Sequence, residues 1–275
     1  MIRVHDKIMK KEKILSIRQH LKFNGSDWKI VDCFCGIGSW MHRDRLLPYS
    51  ARDILTLMDH FGIERSLVHS NFAADGGADA RGNDFVLTEC EKSKGRLLPA
   101  FVVRPNPHKD DLQFVDYLAL MRKHGSRAIW IVPRGQSLWT WLYGEIMSEC
   151  SRRKIPVFLH RDTTTPDAIY DLCTSFPNLR LIIAGVSYGE DWWLYPLLRK
   201  FKEVRVSTGH FYIPSYNPMR FLQHFQATRL IFGSGMPFFS PGGMITHITY
   251  ADISQRDKEL IFFRNMDNLI EEAQP

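Results

Sequence analysis

Two cysteines one residue apart, followed by two glycines one residue apart, stand in VDCFCGIGSW at residues 31–40. Each pair points to a chemistry. Thiolates at i and i+2 of a strand share one face, so Cys33 and Cys35 could offer two soft ligands to zinc. Gly36 and Gly38 could open a turn that lets backbone N–H groups approach a pyrophosphate. Both readings lack their remaining parts. A zinc site needs three or four ligands, and neither a CxxC nor an HxxxH spacing occurs elsewhere to complete one. A dinucleotide turn needs a third glycine three residues after Gly38, where Met41 stands. Cysteines in an apolar strand are more often small buried hydrophobes.

The segment carrying these residues is the first of eight alike. β-rich stretches recur near 29–35, 65–70, 97–104, 127–132, 155–160, 179–185, 203–208 and 229–234, each followed by turn residues and then by helical periodicity. Ile54, Leu57, Met58 and Phe61 repeat at helical spacing before Gly62, and Leu112, Val115, Leu118 and Met121 before Gly125. IPVFL and LRLII are apolar on both faces, as a parallel sheet covered by helices requires. Eight such units in about 250 residues predict an α/β fold, a (β/α)8 TIM barrel over 27–275, rather than an open doubly wound sheet. Residues 1–26 read as an N-terminal helical extension packed over one end.

Composition narrows the classes of function. With 44% hydrophobic and 12% aromatic residues, the 275-residue chain can bury one large core. Its longest apolar runs, AIWIV at 128–132 and LIIAGV at 181–186, fall far short of the roughly 20 residues that span a bilayer. The N-terminal stretch carries Lys and Arg throughout and lacks the apolar run of a secretory signal. Five scattered cysteines fit reduced thiols, so a cytoplasmic protein is expected. The net charge of +6 comes from 36 basic residues nearly balanced by 30 acidic ones. Much of the excess sits in the first 22 residues, which read as a solvated helical face. Neither a membrane nor a nucleic-acid partner is expected.

Residues 32–38 also resemble the Asp-x-Phe-x-Gly-x-Gly strand of DNA cytosine methyltransferases, but those enzymes need a cysteine directly after proline and none of the five follows one. A longer likeness covers residues 29–272. In order along the chain, LMDHFGIERSLVHS (57–70), RLLPAFVVRPNP (96–107), IPVFLH (155–160), FPNLRLIIAGVSYG (176–189), RLIFGSGMP (229–237) and DKELIFFRNMDNLI (257–270) resemble landmarks of the amidohydrolase-related family of metal-dependent hydrolases and decarboxylases. The resemblance implies a first strand reading Asp-x-His-x-His-x-Gly, and Phe34 and Gly36 stand at its two histidines. Gly185 stands at the sixth-strand His, and Gly235 at the Asp of Gly-Ser-Asp-x-Pro. Of the implied ligands only His160 remains, and one imidazole cannot retain a catalytic metal against water. The lost carboxylate would also have moved the proton of an attacking water. No metal or other cofactor is therefore expected. Sliding the strand by one residue to turn Cys33 and Cys35 inward would turn Asp32 and Phe34 away, so no cysteine rescue is expected either.

Barrels of this kind carry their sites at the C-terminal ends of the strands, which names the candidates by position. His160, with Asp162 beside it, is the candidate general acid or base. His69, Arg104, Trp130, Arg134, Arg161, Thr208 and His210 are the candidate ligand-binding residues. Glycines at 36, 185 and 235 leave room, and arginine grips carboxylate or phosphate through a planar two-pronged contact. The expectation is a mouth pocket for a small anionic or carboxylated molecule, without metal-dependent hydrolysis. Two alternatives stand beside it: a hydrolase or decarboxylase working through His160 and other strand-end groups, and a non-catalytic interaction protein. Trp139-Thr140-Trp141 and Trp192-Trp193 could form a homo-oligomer interface or pack helices on the barrel.

Overall fold

The computed structural model describes residues 28–40, 49–106, 112–133, 138–187, 189–209 and 218–275; the expected extension over 1–26 lies outside them. Eight parallel strands follow one another in chain order: β1 (Val31–Ile37), β2 (Arg65–Ser70), β3 (Leu97–Val102), β4 (Ala128–Ile131), β5 (Val157–His160), β6 (Leu181–Ala184), β7 (Arg205–Ser207) and β8 (Leu230–Ile231). The circle closes between the last strand and the first. Cys33 N donates to Phe232 O at 3.0 Å, Gly235 N to Phe34 O at 2.9 Å and Gly36 N to Met236 O at 2.8 Å. This is the (β/α)8 barrel the sequence predicts.

Two apolar layers explain why the strands read as hydrophobic on both faces. Leu67, Val102, Trp130, Phe158 and Ile182 fill the interior, while Val68, Phe101, Ile131, Leu159 and Ile183 face the helices. The helix Ala51–Phe61 begins with a reciprocal cap, Ser50 Oγ accepting from Asp53 N while the Asp53 carboxylate accepts from Ser50 N. It stops at Gly62, whose φ of 70° needs no Cβ to be tolerated. The helix Phe114–His124 stops likewise at Gly125. Its buried stripe differs from the expected one: Phe114, Tyr117, Leu118 and Met121 face the core, Leu112 precedes the helix, and Val115 is 64% exposed. The helix starts two residues later than its periodicity suggested, and Phe114 takes the inward place. No helix among the described residues is long and apolar enough to cross a membrane.

Strand β1 carries an irregularity that decides what its residues face. Asp32 pairs with Ser66 and Cys35 with Val68, so β1 holds one more residue than β2 over the same span, a β-bulge. Cys33 joins the barrel interior and Phe34 packs against it, whereas Cys35 joins the layer under the helices. The two thiols therefore do not share a face, and burial pushes both well above the usual thiol range. Asp32, fully buried, ties the seam of the barrel. Its Oδ1 accepts from Phe34 N and Ser234 N, both at 2.9 Å, and its Oδ2 from Ser234 Oγ at 2.5 Å. Burial outweighs these three bonds and raises its carboxyl to about 6.

Candidate functional site at the barrel mouth

A cavity of about 450 Å³ opens at the C-terminal ends of the strands. Phe34 and Gly36 from β1, His69 from β2, Trp130 from β4 and His160 from β5 line it, with Asn71 just after β2 and Met236, Phe238 and Phe239 after β8. Its floor is a nest of rings. Trp130 lies 4.3 Å from His69 and 5.2 Å from Phe34 between centroids, and stacks on Phe158 below at 5.3 Å. Phe34 lies 5.7 Å from His160. Such tilted and offset pairs stabilise one another beyond the area they bury.

The two histidines are held in different ways. Burial, and next the nearness of His160, lowers His69 to about 3, so it is a neutral ring with one donor and one acceptor nitrogen. His160 Nδ1 accepts from Asp162 N at 3.3 Å, which places the ring proton on Nε2. The same contact caps the short 3-10 turn Arg161–Thr163.

Of the residues expected from the sequence, His69, Trp130 and His160 meet at this cavity. Arg104 and Arg161 do not. Arg104 donates to Asp79 and to Gly77 O. Arg161 pairs with Glu190 at 2.8 Å and lies over the Trp193 ring. Each guanidinium has found a carboxylate at the start of a neighbouring helix, where the pair is cheaper than an unaccompanied charge at an apolar mouth. Thr208 is spent between strands, its hydroxyl donating to Gly233 O at 3.1 Å and accepting from Gly233 N at 3.0 Å. Arg134 and His210 lie outside the described residues. Among the described residues the lining has no Lys or Arg but does include Asp75 and Asp162.

Sequence reasoning missed Asn71, whose side chain is wholly buried. Its Nδ2 donates to Gly38 O at 3.0 Å. Asn71 Oδ1, Trp130 Nε1 and His69 Nδ1 have no hydrogen-bond partner among the described residues. A buried polar atom left unpaired costs about 1–3 kcal/mol, so each of these is destabilising where it lies.

The positions at which the resemblance implies metal ligands are filled otherwise. Phe34 offers a hydrocarbon ring. A Cβ at Gly36 would overlap Asn71 Oδ1, and one at Gly185 would overlap the His160 ring. Gly185 and Gly235 sit at φ of 71° and 74°, in the left-handed region that favours glycine. No cluster of three or more His, Cys, Asp or Glu suited to a metal occurs among the described residues. Among the described residues these positions offer too few donors for a divalent ion.

Compared with known families, residues 39–265 match the model described as amidohydrolase. The chain belongs to the amidohydrolase family. Solved structures share the barrel of this amidohydrolase-family chain at low identity. A 2,6-dihydroxybenzoate decarboxylase from Rhizobium is 16% identical with a TM-score of 0.67, covering 89% of this chain and 99% of that one. A dihydroxybenzoic acid decarboxylase from Polaromonas sp. JS666, with bound manganese and the inhibitor 2-nitroresorcinol, is 16% identical with a TM-score of 0.68, covering 89% and 97%. A 4-oxalomesaconate hydratase from Rhodopseudomonas palustris is 14% identical with a TM-score of 0.62, covering 88% and 96%. No curated protein matches the chain. At these identities the likeness establishes the barrel fold and leaves the chemistry to the residues at its mouth.

Proposed function

We propose that this chain binds a small, flat, unsaturated molecule at the barrel mouth, without a resident divalent metal and without metal-dependent hydrolysis. The observation that carries the reading is the nest of Phe34, His69, Trp130 and His160, which closes around the positions where a metal would be held. Flat ring faces at this spacing favour a flat partner over a puckered one. Two of the solved relatives are named for dihydroxybenzoate, itself a flat ring. The anionic character expected from the sequence now rests on Arg134 and His210, since Arg104 and Arg161 are paired elsewhere. A second reading, acid-base chemistry by His160, is supported by the proton its Nε2 carries while Asp162 N holds Nδ1. Five thiols outside any disulfide suit a reducing compartment, and we place the chain in the cytoplasm.

Two measurements test this reading. Elemental analysis of protein purified without chelator is expected to find well under one zinc, iron or manganese per chain; a value near one overturns the metal-free part. In thermal-shift titrations, benzoate-like and naphthyl compounds are expected to raise Tm by several degrees at saturation. Their cyclohexyl analogues are expected to leave it unchanged. Equal shifts from flat and puckered rings, or none from either, overturn the ligand class.

A further inference from the structure

We infer that the mouth cavity selects a flat ligand carrying a positively charged nitrogen, of the aryl-ammonium or quaternary pyridinium kind, over its neutral and carboxylated counterparts. This rests on the reading above that a flat molecule occupies the cavity. The lining sets the sign of the charge. Phe34, Trp40, Phe238 and Phe239 bring aromatic rings to it, and Asp75 and Asp162 bring acids, whereas the described lining residues include no Lys or Arg. A ligand can reach these groups. Phe238 and Phe239 are each 37% exposed, Phe34, Trp40 and Asp75 are half-buried, and the Asp162 side chain is 75% exposed. The two acids come from different sides of the barrel, Asp75 from the turn after β2 and Asp162 from the turn after β5.

Aromatic faces carry partial negative charge, so a cation over them is attracted where an anion is repelled. The rings here are held by one another. Phe238 meets Trp40 edge-on at 5.1 Å and Tyr49 at 6.3 Å, and Phe34 lies 5.2 Å from Trp130 and 5.7 Å from His160 between centroids. Asp162 Oδ2 lies 3.8 Å from His160 Nδ1, which keeps that carboxylate beside a ring of the lining. Positive charge nearby does not offset these groups. Burial holds His69 neutral, and Arg104 and Arg161 spend their charge on Asp79 and Glu190. A carboxylate as exposed as that of Asp162 attracts a cation only weakly through water, so the larger share of the selectivity falls to the rings, which touch the ligand directly. An anion meets opposition from both. The gap between cation and anion therefore exceeds the gap between cation and neutral molecule.

Calorimetric titration of the full chain with three probes on one bicyclic frame, naphthylmethylammonium, naphthylmethanol and naphthoate, tests the inference. The ammonium is expected to bind about tenfold tighter than the alcohol, and the naphthoate weakest of the three. Asp162→Asn, whose backbone N–H still reaches His160, is expected to narrow the gap between ammonium and alcohol by about two- to threefold. Phe238→Leu combined with Phe239→Leu, which keeps apolar surface and loses the ring faces, is expected to narrow it by more. Naphthoate binding tightest overturns the inference and restores the anionic ligand expected from the sequence. An alcohol as tight as the ammonium overturns it too, and in both cases the flat-ligand reading stands. A gap that neither variant changes overturns the assignment to this lining. Cyclohexylmethylammonium separates the two readings: binding equal to that of naphthylmethylammonium removes the flat-ligand reading and leaves the charge preference. If no probe binds, both fall.

Discussion

Asp32→Asn is expected to make the chain lose stability on acidification much faster than the wild type does. Two buried groups titrate in opposite senses here. The Asp32 carboxyl sits at about 6 because it is buried, against 3.8 for an ordinary aspartate. Between those values the folded state holds a proton the unfolded state lacks, so this group's stabilisation is complete below 3.8 and is lost as pH rises through 6. His69 does the reverse. Its ring sits at about 3, against 6.5 when solvated, because burial disfavours the charged form. Its stabilisation is present above 6.5 and is lost as pH falls toward 3. From about pH 6 to about pH 4 the two proton differences oppose one another.

Asn at 32 can still accept from Phe34 N and Ser234 N and can donate to Ser234 Oγ, so the seam is kept while one titration is removed. What remains is His69, at about 1.4 kcal/mol per pH unit, so the variant is expected to lose roughly 3 kcal/mol relative to wild type between about pH 6 and about pH 4. His69→Gln is expected to diverge by a similar amount in the opposite direction. Urea denaturation in half-unit pH steps reads both. Stability profiles parallel to that of the wild type would remove the buried pair from the account.

Gly185→Ala is expected to cost about 3 kcal/mol, and Gly185→His more, without creating a metal site. The position sits at φ of 71°, where a Cβ costs about 1–2 kcal/mol in the backbone alone. The added atom also overlaps the His160 ring, which must swing away and give up its bond from Asp162 N. In a His160→Ala background the overlap disappears and the backbone part remains, so the cost of Gly185→Ala is expected to fall to about 1–2 kcal/mol. A double-mutant cycle by equilibrium unfolding measures the difference. Equal costs in the two backgrounds would mean that the ring does not occupy this space.

The barrel was readable because each strand is apolar on both faces and each helix on one, a pattern that few architectures can bury. His69, Trp130 and His160 were readable for a related reason: strand ends in this fold converge on one mouth. What stayed hidden was pairing. Arg104 meets Asp79 and Arg161 meets Glu190 across loops whose mutual distance no local pattern encodes. Asn71 looked like an ordinary residue at a strand-to-helix turn, since residue type alone does not show that Gly36 leaves space for it. The differing faces of Cys33 and Cys35 were hidden too, because an extra residue in a strand leaves no mark in the side chains beside it.

That extra residue gives the first strand two phases. Up to Cys33 its side chains alternate in one parity, and from Phe34 onward in the other, so Phe34 and Gly36 point into the lumen while Cys35 points out. An exchange of one amino acid for another at the mouth edits a single side chain and leaves the phase alone. Loss of a single codon at 33 or 34 is a different operation, because it takes out the extra residue and lets the strand alternate regularly against β2, with Asp32 still opposite Ser66 and Cys35 still opposite Val68. Asp32 would keep the seam and Gly36 the lumen, while the wall would lose one of the side chains of Cys33 and Phe34 that now enter the lumen in succession. Length at this wall sets how many side chains enter the lumen, whereas composition sets only which ones.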